Sequence, residues 1–370
     1  MPKRSHLLLT PGPTPVPPEI LRLLGRPLFH HRTPEYQKLF EEVSGGLKRI
    51  FRTRYPVYTF ASSGTGAMEA AITNFHSPGD EVLVVEGGKF AERFTHIAKA
   101  YGLKADVMKV IYGQAVSPAN LEEAVERNPR LKSVCLQLSE TSTGVVYDLA
   151  EIGRRLKGKG PLLIVDAISG LGADRFEMDE WGIDLAISGS QKGLMLPPGL
   201  AFLAVGERAQ ARMREAKLPR FYFDLSLYEK ALQQWDTPFT PAISLVVGLR
   251  EALRKIEKEG LEKVLKRTAE LALYTRKQIK KLGLEFFAQR PSNGITSVKV
   301  PAGIDGEKLV KWIRDEENVS IAGGQGEMKS RVIRIAHMGY IRKADIDRGI
   351  AALKKGLKHM SGRALAGAKA

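Results

Sequence analysis

Most of the first 240 residues alternate between short β-rich runs and amphipathic helical patterns, and that alternation restricts the fold more than any other feature. Residues 81–85, 105–110, 133–138 and 162–165 are short apolar runs that read as strands, and 91–101, 119–127 and 149–156 have helical periodicity between them. Strands separated by helices imply βαβ units, hence an α/β fold with a mainly parallel sheet covered on both faces. In such a sheet, ligands sit beyond the carboxyl ends of the strands. Asp166 closes the run Pro161-Leu162-Leu163-Ile164-Val165, at one of those ends.

The chain of 370 residues exceeds the usual size of one core, so two domains are expected. A long amphipathic segment, 243–282, reads as one or two helices broken near Gly260 and carries the chain out of the large domain. Beyond it, 294–300, 319–322 and 332–336 read as strands, and 306–316 and 343–358 as helices, which makes a small α+β domain. The expected division is an N-terminal arm (1–16), a large domain (17–255), a small domain (256–360) and a frayed tail rich in Ala, Gly and Lys (361–370).

Composition excludes several classes. No apolar run reaches the roughly 18 residues of a membrane helix, and Leu7-Leu8-Leu9 cannot form a signal-peptide core. A cytoplasmic protein without membrane partners is expected. The single cysteine, Cys135, lies in an apolar strand, which suits a buried residue and not a sulfur-transferring thiol. No Cys/His cluster has metal-ligand spacing, so no metal is expected. The net charge of +16 could attract anions or nucleic acid. The basic residues, however, are mixed with acids along helical segments and lack interleaved aromatics, so nucleic acid is not expected as a partner.

The residues that carry chemistry are Asp166 and, 26 positions later, Lys192 in Ser188-Gly189-Ser190-Gln191-Lys192. A carboxylate at one strand end and a lysine after the next can grip the two ends of pyridoxal phosphate. The amine forms a Schiff base with the aldehyde, and the carboxylate keeps the ring nitrogen protonated. Asp166 could instead be a strand-end cap, and Lys192 a surface lysine. The small-residue loop assigned to 188–192 would let Lys192 enter a cleft, where a neighbouring cation and the loss of water lower its basicity.

Residues 61–71 read as a Gly/Ser-rich turn opening into a helix, and the free N–H groups of Ser63, Gly64 and Thr65 suit a phosphate. A plain helix cap is the simpler reading of that turn alone. Phe90 could stack on a planar cofactor or belong to the core. Thr141 is a strand-end hydroxyl. Arg334, inside Val332-Ile333-Arg334-Ile335, is costly in an apolar strand unless paired, either with a structural acid or with a substrate carboxylate.

Together these segments resemble the class V aminotransferases of pyridoxal-phosphate fold type I, in particular the alanine–glyoxylate, serine–glyoxylate and serine–pyruvate group. The likeness runs from Leu8-Leu9-Thr10-Pro11-Gly12-Pro13-Thr14 through His30-His31-Arg32-Thr33-Pro34-Glu35, Ser63-Gly64-Thr65, Glu140-Thr141-Ser142-Thr143-Gly144, 188–192 and Thr237-Pro238-Phe239-Thr240-Pro241 to the Arg334 strand. It implies a seven-stranded large-domain sheet and a homodimer with shared active sites. Lys192 would be the Schiff-base lysine and the general acid/base, and Asp166 the partner of the ring nitrogen. Ile168 and Phe90 would cover the two ring faces, and Thr141 would bond the ring hydroxyl. Gly64, Thr65 and Gln191 would bind phosphate, joined by Thr240 (or Thr237) of the partner subunit. Arg334 would hold the α-carboxylate, with backbone near Gly12 closing the site.

Many relatives have tryptophan where Phe90 stands. The implied reaction is transfer of an amino group from alanine or serine to glyoxylate or pyruvate. Aspartate or phosphoserine transamination, or a lyase reaction, is the alternative.

Overall fold

The computed structural model describes residues 6–367. Its centre is a seven-stranded sheet in the order Val57–Phe60, Ala201–Val205, Leu185–Gly189, Leu162–Asp166, Leu131–Gln137, Glu81–Glu86, Lys104–Lys109. The last five strands of that order are mutually parallel, and Ala201–Val205 runs antiparallel to both its neighbours. The sheet is therefore mixed but mainly parallel.

Alternate residues of these strands feed two cores, as the period-2 geometry of a strand requires. Leu83, Val85, Val134, Leu136, Leu163, Val165 and Phe202 point to one face. Val82, Val84, Cys135, Ile164, Leu185, Ile187 and Leu203 point to the other, where the helix Gly64–Thr73 packs. Cys135 is fully buried, and burial pushes its thiol up to about 12. The first face is closed by the helix Pro34–Phe51, capped by the Thr33 hydroxyl on the Tyr36 N–H and buried through Leu39, Phe40, Val43 and Leu47.

The amphipathic segment forms two helices, Ile243–Glu259 and Leu261–Lys281, joined at Gly260 with φ of 87°. Such a conformation favours glycine. A three-stranded antiparallel sheet of Ile295–Lys299, Val332–Ala336 and Ala322–Gly323 follows, with its own apolar core.

Three expectations are corrected. The run 319–322 is not one strand: Val319–Ser320 pairs with Leu7–Leu8, and Ala322–Gly323 pairs with the Arg334 strand, because the chain changes sheets at Ile321. The segment 188–192 is not all loop, since Leu185–Gly189 stays paired in the sheet. The last helix runs Lys343–Gly367, past Lys358 and into the segment expected to fray, whose final three residues lie outside the described ones. No helix among the described residues is long and apolar enough to cross a membrane.

Candidate active site

Lys192 follows the strand Leu185–Gly189 and is only 9 % exposed, so its amine is held out of water. The N-terminal arm covers it. The Lys192 Nζ donates to the Pro11 carbonyl, while Thr14 donates its N–H to Gln191 O at 3.1 Å and its hydroxyl to Lys192 O at 3.0 Å. Gly12, with φ of 132°, lies so close that a Cβ there would stand 2.4 Å from Nζ. Burial lowers the Lys192 amine to about 8, with Arg334 and Arg93 acting in the same direction and Asp166 opposing. A buried amine of this kind is neutral often enough near neutral pH to act as a nucleophile and a proton acceptor.

Asp166 ends the neighbouring parallel strand. Burial pushes its carboxyl up to about 6, and Glu140 adds to that, while the Ile168 N–H at 2.8 Å and the charges of Lys192 and Arg93 hold it down. The turn that gives this N–H also places Ile168 against the start of the helix Gly64–Thr73. A Cβ at Gly64 would come within 2.4 Å of Ile168 Cδ1. Ser63 caps that helix in extended conformation without a side-chain hydrogen bond, so first-turn N–H groups stay available. The Thr65 hydroxyl accepts from Arg93 at 3.1 Å. The Oε1 of Gln191 is buried without a partner among the described residues.

Glu140 organises the opposite wall. Its carboxylate is fully buried and accepts from the N–H groups of Phe90 (3.2 Å), Ala91 (3.0 Å) and Ser142 (2.9 Å) and from the Ser142 hydroxyl (2.6 Å). One acid thus fixes the backbone that carries both Phe90 and Thr141. Burial pushes the Glu140 carboxyl up, against those hydrogen bonds. The Thr141 carbonyl accepts from Arg334 Nη1 at 2.8 Å, and Gly323 O accepts from its Nε and Nη2 at 2.9 and 2.7 Å.

Arg334 is 4 % exposed, yet among the described residues its hydrogen bonds go to backbone carbonyls and not to a carboxylate. Burial lowers the guanidinium to about 10, with Glu140 opposing. A guanidinium with five N–H donors, three of them so engaged, retains capacity for a bound carboxylate. The structural ion pair weighed for this arginine is not what the structure shows.

Lys192, Asp166, Ile168, Gly64, Thr65 and Gly12 are therefore brought into one neighbourhood, with Arg334, Thr141 and Phe90 gathered around Glu140. Thr240 stands apart, exposed, beside a small cavity lined by Thr59, Tyr222, Thr237 and Phe239. Thr237 is buried, and its hydroxyl donates to Phe239 O at 2.8 Å. Arg32 is paired with Asp236 and donates to Thr237 O at 2.9 Å.

Sequence reasoning assigned no role to Glu140, Arg93 or Thr14, although an acid between strand-end hydroxyls and an arginine one helical turn after Phe90 were visible signals. Gln137, whose register partner is Asp166, was also missed; it is buried with both amide atoms unpartnered.

The model of the class V aminotransferase family matches residues 21–348. The small subunit of a soluble hydrogenase from Synechococcus sp. (strain PCC 6716) is 40 % identical over 94 % of this chain and 92 % of its own. An L-aspartate–glyoxylate aminotransferase of Paracoccus denitrificans is 34 % identical over 93 % of this chain and 89 % of its own. The crystal structure of an alanine–glyoxylate aminotransferase from Nostoc sp. superposes with a TM-score of 0.92 at 32 % identity, covering 96 % of each chain. The architecture is that of fold type I, and the chain belongs to the class V aminotransferases, a family of pyridoxal-phosphate enzymes.

Proposed function

We propose that this enzyme transfers an amino group from alanine or serine to a small 2-oxo acid, glyoxylate or pyruvate, through pyridoxal phosphate held by Lys192. The residues present suit that cofactor. A buried amine of lowered basicity, a buried carboxylate and a helix start with Gly64 and no side-chain cap bond each match one part of it. When bound, the cofactor supplies an electron-accepting ring that takes up the charge released when the substrate Cα loses its proton.

The chain's own residues do the rest. Lys192 Nζ attaches the cofactor and then, freed, moves the proton at the substrate Cα. Asp166, ionised, holds a proton on the ring nitrogen. Phe90 and Ile168 confine the ring, Thr141 holds its hydroxyl, and Ser63, Gly64, Thr65 and Gln191 hold its phosphate. Arg334 anchors the α-carboxylate of donor and acceptor in turn, so both halves of a ping-pong cycle share one binding geometry. Backbone at Gly12 closes the site over Lys192. Thr240, whose hydroxyl is free of the bond that engages Thr237, reaches the phosphate of a partner subunit in a homodimer. The large (17–255) and small (256–360) domains form the two walls. A cytoplasmic location belongs to the same reading.

The observation that carries the reading is Arg334, buried with no carboxylate paired to it among the described residues and close enough for its charge to act on Lys192. The L-aspartate–glyoxylate aminotransferase relative favours a second reading in which aspartate is the donor. The test is amine transfer to glyoxylate from L-alanine, L-serine and L-aspartate, each assayed separately as glycine formed. Fast glycine formation with alanine or serine supports the first reading. Preference for aspartate supports the second, and consumption of the donor without glycine rejects both.

A further inference from the structure

Arg93 is a cation at this site that the roles above leave unused. It lies in the first turn of the helix Glu92–Ala100, and its Nη1 donates to the Thr65 hydroxyl in the first turn of another helix, Gly64–Thr73. Its guanidinium carbon stands 4.9 Å from the centre of the Phe90 ring. Its charge also reaches Asp166 and Lys192, favouring the ionised carboxylate and the neutral amine. Among the described residues no carboxylate pairs with it, and the acid in its own turn, Glu92, is taken by Lys89 and Tyr112.

Arg93 is exposed, so water screens its charge, and this placement is mildly unfavourable as it stands. A helix start carries partial positive charge, and a cation in the first turn is repelled by it. Here an unpaired guanidinium meets two helix starts at once. An anion brought to the same point would relieve that repulsion. The groups expected to hold the cofactor phosphate, Ser63, Gly64, Thr65, Gln191 and Thr240, are all neutral, so a dianionic ester has no countercharge among them. Arg93 is the cation whose position supplies it, and a planar guanidinium suits a phosphate better than a point charge does.

We propose that Arg93 is the cation of the phosphate site, exchanging its bond to Thr65 for one to the phosphate while remaining stacked on Phe90. The proposal rests on the pyridoxal-phosphate reading above and deepens it.

The test compares two ligands that differ only in the phosphate. Cofactor-free wild-type protein, Arg93→Gln and Arg93→Lys are titrated with pyridoxal phosphate and, separately, with pyridoxal, followed by absorbance and by quenching of tryptophan fluorescence. The expected result is that Arg93→Gln weakens pyridoxal phosphate about tenfold to a hundredfold, the usual range for a lost bond to a charged group. Pyridoxal affinity stays at the wild-type value, and Arg93→Lys falls between. Inorganic phosphate should compete with the cofactor in wild type and far less in Arg93→Gln.

Unchanged pyridoxal-phosphate affinity in Arg93→Gln overturns the proposal. Equal losses for both ligands overturn it as well, since they would show Arg93 only shaping Phe90 and Thr65. A wild-type protein that takes up neither ligand refutes the cofactor assignment itself, and this proposal with it.

Discussion

Replacing Lys192 by methionine should make the cofactor-free protein more stable at neutral pH, by an amount that shrinks as the pH rises. Burial lowers the amine from 10.5 to about 8. Between those values the unfolded chain binds more protons at this position than the folded one, so the wild-type fold gains stability with rising pH across that window. Below pH 8 both states are charged, and the folded state bears the full cost of a buried cation. With about 1.4 kcal/mol per pH unit, that cost is about 3 kcal/mol at pH 7 and about 1 kcal/mol at pH 10.

Methionine has similar length and no charge. It loses the bond to the Pro11 carbonyl at every pH, so that loss cancels when two pH values are compared. Denaturant unfolding of both proteins, at fixed protein concentration and at pH 7 and pH 10, measures the change. The stability of Lys192→Met relative to wild type should fall by about 2.5 kcal/mol from pH 7 to pH 10. A relative stability that does not change with pH would refute the claim that Lys192 is held as a destabilised cation.

The other predictions concern the remaining walls of the pocket. Arg334→Gln should raise KM for both amino donor and 2-oxo acceptor by about tenfold to a hundredfold, with a smaller effect on cofactor affinity, because the substrate carboxylate loses its cation while the Gln amide can still donate to the Thr141 or Gly323 carbonyl; steady-state kinetics and a cofactor titration check both halves. Asp166 is pushed up to about 6, so it loses its charge as pH falls through that value, and cofactor affinity should fall with it. Asp166→Asn should abolish that pH dependence and slow transamination by roughly a hundredfold or more. Gly12→Ala combines a φ of 132° with a Cβ 2.4 Å from Lys192 Nζ. It should cost about 1–3 kcal/mol in denaturant unfolding of the cofactor-free protein.

Local sequence revealed what local physics determines. The strands around Asp166 are continuous apolar runs, and Leu149–Leu156 and Val332–Ala336 matched to the residue because their periodicity is undisturbed. Val57–Phe60 and Ala201–Val205 were not read, being short runs whose strand character comes from pairing with each other across the sheet. Burial of Lys192 was legible only as a requirement. Its physical source is the arm at Pro11–Thr14, some 180 positions away in sequence, together with Arg334 from the other sheet. Glu140 escaped for the same reason: an acid in a strand-end motif shows its purpose only when the loop at Phe90 folds back onto it. The bond from the Thr237 hydroxyl to Phe239 O was likewise not legible from spacing, since it depends on how the local turn folds.

The central claim is that Lys192 carries the cofactor. The direct measurement is to load the purified protein with pyridoxal phosphate, reduce it with borohydride, digest it and locate the modified lysine by mass spectrometry. A pyridoxyl group on the peptide containing Ser188-Gly189-Ser190-Gln191-Lys192, lost in Lys192→Met, is the predicted result. Stoichiometric modification of a different lysine, or none at all, would contradict the account.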